Sequence, residues 1–171
     1  MAPSAQRALT EGNRTMRAAL RLVGRLHAAG VPWLFEHPLN SFVLRTPEVQ
    51  DILRDKFVQR IHLDQCAFGA PFRKPTVVLA GNCCPADLVR LDRRCGAGPT
   101  CLFSGRAHLK LEGGSRTRRA AKYPRNFAHG LAQVICAQAH AELFNSNGPM
   151  SGHIKVANCV DASLSPPARR F

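Results

Sequence analysis

IHLDQCAFGAPFRKPTVVLAGN, residues 61–82, decides how this chain is read: an alternating run, a glycine-proline break carrying two adjacent cations, then an apolar run. Gly69 tolerates positive φ and Pro71 fixes its own, so together they interrupt regular structure. Thr76-Val77-Val78-Leu79-Ala80 is β-branched and apolar enough for a buried strand. The stretch predicts two β-strands, over 57–65 and 76–81, joined by a basic loop. If the first strand runs straight, His62, Asp64 and Cys66 share one face while Ile61, Leu63 and Gln65 take the other. The loop presents Arg73 and Lys74, either to hold an anion or merely to water.

Upstream, residues 1–12 show no periodic pattern and are expected to form a disordered lead. From Asn13 to Ala29 the set Met16, Ala19, Leu20, Val23 and Leu26 repeats at helical spacing, with Gly30 placed to end the helix. Arg14, Arg17, Arg21 and Arg25 make a stripe on the opposite side, suited to a phosphate backbone or to plain solvation. Val31 to Phe35 then predicts a short strand closing on Glu36-His37-Pro38. In open α/β sheets ligands gather beyond the carboxyl ends of strands, so Glu36 is a candidate site residue. A loop acid or an arginine partner is the alternative. Pro47 to Asp55 reads as a brief helix with Pro in its first turn.

Downstream, Pro85 to Arg93 suggests another short helix with Leu88, Val89 and Leu91 inward. Residues 95–114 are rich in Gly, Cys and cations and lack apolar periodicity, so an irregular lobe is expected over about 95–122. Within it Cys95, Cys101 and His108 are spaced C-x5-C-x6-H. With one upstream thiol from Cys83 or Cys84 they would complete a tetrahedral Cys3His zinc site, the alternative being buried free thiols. Arg116, Arg118, Arg119, Lys122 and Arg125 form the most basic run, with no acid among them. Tyr123 and Pro124 open a helix to about Phe144, carrying Phe127, Leu131, Val134, Ile135 and Leu143 on one stripe. Residues 145–171 read as a flexible tail with a short strand at His153 to Val156.

The 171 residues carry a formal charge of +13, from 24 Lys plus Arg against 11 Asp plus Glu, which attracts nucleic acid or anionic membranes. Most of the cations are arginine, the side chain fitted to bidentate phosphate contacts, although an arginine-heavy genome would leave the same bias. No stretch is long enough to span a bilayer and no secretion signal is apparent, so an intracellular protein is expected, nuclear if eukaryotic. Seven cysteines without an export signal argue for reduced thiols or metal ligands.

Three segments, in order, resemble the DNA cytosine-5 methyltransferases. FGAPFRKPTVVLAG resembles the family's Gly-Val-Pro-Gln segment with its spaced arginines and following strand: Gly69, Ala70 and Pro71 fit. Phe72 stands in place of Gln, Lys74 and Thr76 in place of the two arginines, and Arg73 lies one residue away. VPWLFEHP, residues 31–38, is similar to the strand ending in Glu-Asn-Val, with Glu36 matching and His37 and Pro38 departing. YPRNFAHGLAQVI, residues 123–135, looks like the family's last helix.

The resemblance implies an α/β fold: part of a Rossmann-like methyltransferase sheet, with a terminal hairpin and flanking helices, over residues 13–144. It implies that Glu36 meets the edge of a flipped base, that Arg73 or Lys74 orients base or loop, and that the 116–125 run lies along the duplex, most naturally DNA. Missing are an aromatic-x-Gly-x-Gly turn for S-adenosylmethionine and a Pro-Cys nucleophile upstream of Glu36. The expected protein is thus the carboxyl-terminal part of such an enzyme, binding nucleic acid and inactive alone. It would use S-adenosylmethionine only if a partner chain supplies the cofactor half. The rival reading is a non-catalytic DNA- or RNA-binding protein stabilised by zinc. A hydrolase built on His62, Asp64 and Cys66 is weak, because alternate residues of a straight strand point in parallel.

Overall fold

The computed structural model describes residues 3–112, 114, 118 and 120–145, the last seven by backbone alone. Arg116, Arg119, the Leu143 side chain and the strand expected at residues 153–156 lie outside the described residues.

The two strands of the opening stretch form as an antiparallel hairpin, β2 (Val58–Asp64) and β3 (Pro75–Gly81), in register from Val58 opposite Gly81 to Asp64 opposite Pro75. The upstream strand, β1 (Trp33–Pro38), joins the other edge of β3, from Trp33 opposite Gly81 to Pro38 opposite Thr76. The sheet order is therefore β1-β3-β2, antiparallel throughout, with the return strand of the hairpin in the middle. Its position explains its composition: Val77, Val78 and Ala80 are fully buried and Leu79 almost so, because β3 is covered on both faces.

Alternate residues of β3 serve different cores. Val78 and Ala80 pack with Ile61, Leu63, Leu88, Leu91, Phe127 and Val134, beneath α3 (Pro85–Leu88) and α4 (Arg125–Asn145). Val77 and Leu79 pack with Val23, Trp33, Leu44 and Val49, beneath α1 (Pro3–Ala28) and α2 (Pro47–Ile52). The result is a mixed α/β fold with helices on both faces of a small antiparallel sheet.

Gly30, at φ 71°, closes α1: its N–H donates to the His27 carbonyl, and the Val31 N–H donates to that of Leu26. Asn82, also left-handed at φ 56°, donates from Nδ2 to the carbonyls of His27 and Val31, locking the helix end to the end of β3. Gly81 is fixed by packing, since a Cβ there would overlap the Trp33 indole.

Several expectations need correction. The lead is helical from Pro3, because Ala, Gln, Arg and Leu dominate residues 3–12 and favour a helix without an apolar stripe. The β1 strand runs on through Glu36 to Pro38, since the ladder with β3 continues that far, so Glu36 lies within the strand and not beyond its end. Val89 faces solvent at 64% exposure, while Leu88 and Leu91 are buried as expected: the helix tightens into a 3-10 turn over Val89–Leu91, which turns Val89 outward. Among the described residues, no helix is long and apolar enough to cross a membrane.

Candidate metal centre

The hairpin does not pass straight from strand to loop. After Asp64 the backbone tightens into a 3-10 turn, Gln65–Phe68, closed by Gly69 at φ 95°. The turn takes Cys66 off the strand, so the alternating face expected for His62, Asp64 and Cys66 ends at Asp64. Cys66 is instead buried beside Cys95 and Cys101.

The irregular lobe wraps over this turn. Asp64, 3% exposed, organises the approach: its Oδ2 accepts from the Cys95 N–H at 2.7 Å, and its Oδ1 accepts from Arg73 Nε at 3.2 Å. Its own N–H donates to the Arg93 carbonyl. Beyond Cys95 the chain doubles back in a tight turn. The Cys101 N–H donates to the Arg106 carbonyl, the Gly105 N–H to that of Cys101, and Thr100 bridges Ala107. Gly105 takes the left-handed φ of 67° that this reversal needs. His108 follows, and the Leu109 N–H donates to the Pro71 carbonyl, binding the lobe to the hairpin loop.

The outcome is one cluster: a ligand atom from each of Cys66, Cys95, Cys101 and His108, all within 4.8 Å of one another. Three thiols are buried and the imidazole is partly so. A tetrahedral ion with metal–sulfur bonds of about 2.3 Å and a metal–nitrogen bond of about 2.0 Å needs edges of about 3.5–3.8 Å. The Cys95 Sγ to His108 Nε2 distance is 3.6 Å. The widest pair has to close by about 1 Å, a side-chain adjustment and no rebuilding of the backbone.

The surroundings suit thiolates. The Leu102 N–H points at Cys95 Sγ, 3.4 Å away. The Ser104 hydroxyl, with the N–H groups of Phe103 and Ser104 and the His108 side chain, holds the Cys101 thiol down to about 6 against the effect of burial. Burial first, then contact with the thiols of Cys95 and Cys101, pushes Cys66 up to about 12. A thiol eased toward ionisation at Cys101 thus faces one at Cys66 that resists it, a resistance a divalent cation removes by neutralising the shared charge. The soft Cys3His donor set, its closed geometry and its N–H contacts to sulfur fit a structural metal ion.

Of the expected ligands, Cys95, Cys101 and His108 are therefore brought together, and the fourth differs. Cys83 is buried in the core, its thiol near the carbonyls of Trp33 and Gly81, while Cys84 caps the start of α3; neither reaches the cluster. The sequence signal for Cys66 was Gly69, three residues on, which marks a reversal as Gly105 does after Cys101.

The other candidate residues separate. Arg73 turns to Asp64 and, through it, buttresses the Cys3His cluster. Glu36 projects on the α4 side of the sheet, where its Oε2 accepts from the Tyr123 hydroxyl at 2.7 Å while Oε1 is buried without a partner among the described residues. Lys74 Nζ sits 5.9 Å from the Tyr123 ring centre and donates to the Ala120 carbonyl. Glu36 and Lys74 thus share Tyr123, whose hydroxyl is pushed upward by burial and by the glutamate. Sequence reasoning missed both Tyr123 and Asp64 as partners. Arg118, Lys122 and Arg125 are exposed near the start of α4.

Fold and site define a three-layer α/β domain with a Cys3His cluster at its hairpin end. No protein-family model matches the chain, and neither do any curated proteins or solved structures.

Proposed function

We propose that this protein is a nucleic-acid-binding module whose hairpin end is held by a structural zinc ion. The observation that carries the zinc reading is the convergence of Cys66, Cys95, Cys101 and His108 from one turn and one irregular lobe. Such a lobe, with Leu102, Phe103 and Leu109 exposed, has little core of its own and depends on cross-links for its shape. Zinc suits three thiolates and an imidazole with no open position, a structural centre and not a catalytic one. The nucleic-acid reading is supported by the formal charge of +13 and its arginine bias, with Arg118, Lys122 and Arg125 among the exposed cations.

A second reading is favoured by Glu36: the scaffold is that of the carboxyl-terminal part of a DNA cytosine-5 methyltransferase, with a partial Rossmann-like sheet. In its support, β1 with Glu36 lies directly beside a hairpin that carries Lys74 at its bend, and the last helix packs over both. The buried Oε1 of Glu36, unpartnered among the described residues, is the kind of acceptor a base edge would satisfy. Arg73, committed to Asp64, is the weaker candidate for orienting a base. A partner chain would have to bring S-adenosylmethionine and the nucleophile.

Two measurements test these readings. Protein purified under reducing conditions should contain one zinc per chain by elemental analysis, and Cys101→Ser should contain far less. Binding to a labelled DNA duplex should weaken steeply between 50 and 200 mM salt, by roughly 10³-fold or more for six phosphate contacts. A stoichiometry near zero removes the zinc reading, and absence of duplex binding removes the nucleic-acid one. The isolated chain should show no heat of S-adenosylmethionine binding by calorimetry; a signal would overturn the dependence on a partner.

A further inference from the structure

The first thirteen residues of α1, positions 3–15, are exposed at every position, and among the described residues the helix meets the rest of the fold through its second half, at Leu20, Val23, Leu26 and His27. Half of the helix thus stands clear of the other described elements. Isolated helical segments of that length are marginal in water, but this one continues a packed helix, so a partner meets it already ordered.

Along it run Arg7, Arg14, Arg17, Arg21 and Arg25, all exposed. At 3.6 residues per turn they fall within a sector of about 80°, roughly opposite Val23, and span about 27 Å. Among the described residues none of the five is in an ion pair, whereas Arg54, Arg73, Arg90 and Arg94 all are. Glu11 is the helix's one acid and lies at the margin of the sector. Every cation of the stripe is arginine, whose planar fork pairs with phosphate oxygens in two places at once.

We infer that this stripe is a docking surface for the phosphate backbone of a nucleic-acid duplex. The inference rests on the nucleic-acid reading above and assigns it a second surface. The α1 helix covers the sheet face opposite α4, so Arg118, Lys122 and Arg125 at the start of α4 belong to another side of the molecule. A membrane surface is a poorer fit: the free half offers Leu9 as its one large apolar side chain, beside Ala5, Ala8 and Gly12, which gives little to bury among acyl chains.

The test uses the full chain with Arg7, Arg14, Arg17 and Arg21 all changed to Gln, a residue of similar helix propensity, and a companion in which the four become Lys. Affinity for labelled DNA and RNA duplexes is measured by fluorescence anisotropy across salt concentrations, with anionic phosphatidylserine vesicles as a third arm. Duplex binding by the native chain is expected, and the magnitude of its log–log salt slope should fall by about 3.6 in the Gln variant, at about 0.9 per lost contact. The Lys variant should keep most of the slope. A pair variant, Arg7→Gln with Arg14→Gln, lies wholly in the free half and cannot disturb the core; it should lose about 1.8. A preference between the DNA and RNA arms identifies the source of the phosphate. Native binding with an unchanged slope in both Gln variants overturns the inference and leaves the nucleic-acid reading standing. No duplex binding by the native chain overturns both, and binding to vesicles alone reassigns the stripe.

Discussion

Replacing Asp64 by Asn keeps the shape of a side chain that is not itself one of the four cluster residues yet positions Cys95 among them. The native carboxylate accepts from the Cys95 N–H through one oxygen and from Arg73 Nε through the other. An amide offers one acceptor, so one of these donors must face an NH2 group. Turning the amide toward Arg73 leaves the buried Cys95 N–H opposed, which costs about 2 kcal/mol. Arg73 keeps an acceptor in that arrangement but loses the carboxylate's charge, part of which water makes good at its one-third exposure, leaving about 1 kcal/mol. The sum, about 3 kcal/mol, corresponds to a fall in melting temperature of roughly 6–12 °C for a chain of this size. Because Cys95 is displaced, zinc affinity should also fall by roughly 10–100-fold. Thermal unfolding followed by circular dichroism, once with excess zinc and once with a chelator, separates the two effects. In saturating zinc the gap from the native chain should widen by a further 1.4–2.7 kcal/mol or about that, since each tenfold in affinity is worth about 1.4. Equal losses in zinc and in chelator would refute the claim that Asp64 positions a metal ligand.

The remaining predictions concern other parts of the fold. Gly81→Ala forces a methyl group into the Trp33 indole and should lower stability by about 3 kcal/mol, read as a reduced urea midpoint. Tyr123→Phe leaves the Glu36 carboxylate with neither oxygen paired among the described residues and should cost about 1.5 kcal/mol, while the ring keeps its edge contact with Phe127. The pKa of His37 is lowered by burial, against the raising influence of Glu36, so the unfolded state takes up this proton first. Stability from this group is therefore complete above about pH 6.5 and declines as pH falls from there toward the depressed folded value. His37→Phe removes a buried Nδ1 that has no partner among the described residues and should flatten that decline in a melting series, leaving the slope due to His62, whose pKa is also lowered by burial and then by Arg60 and Arg94.

The sheet was legible where local chemistry and tertiary burial agree. Thr76 to Ala80 is β-branched, apolar and flanked by Pro75 and Gly81, and it forms the central strand. The apolar repeats of α1 and α4 likewise face the cores they pattern. The insertion of β3 between β1 and β2 could not be read, since pairing between segments some 40 residues apart depends on which faces fit and leaves no local trace. The metal site was half legible. The spacing of Cys95, Cys101 and His108 flagged three ligands, but the fourth was hidden by extending period-two geometry past Asp64 into a 3-10 turn. Glu36 drew notice for the right strand and the wrong position, because the ladder continues through it to Pro38.

Zinc-edge X-ray absorption of the purified protein tests the central claim most directly, because it reports the atoms bound to the metal. Three sulfurs at about 2.3 Å and one nitrogen at about 2.0–2.1 Å are predicted, with one sulfur lost in Cys66→Ser. A first shell of oxygen and nitrogen alone, or one unaltered by Cys66→Ser, would contradict the assignment of these four residues as a metal centre.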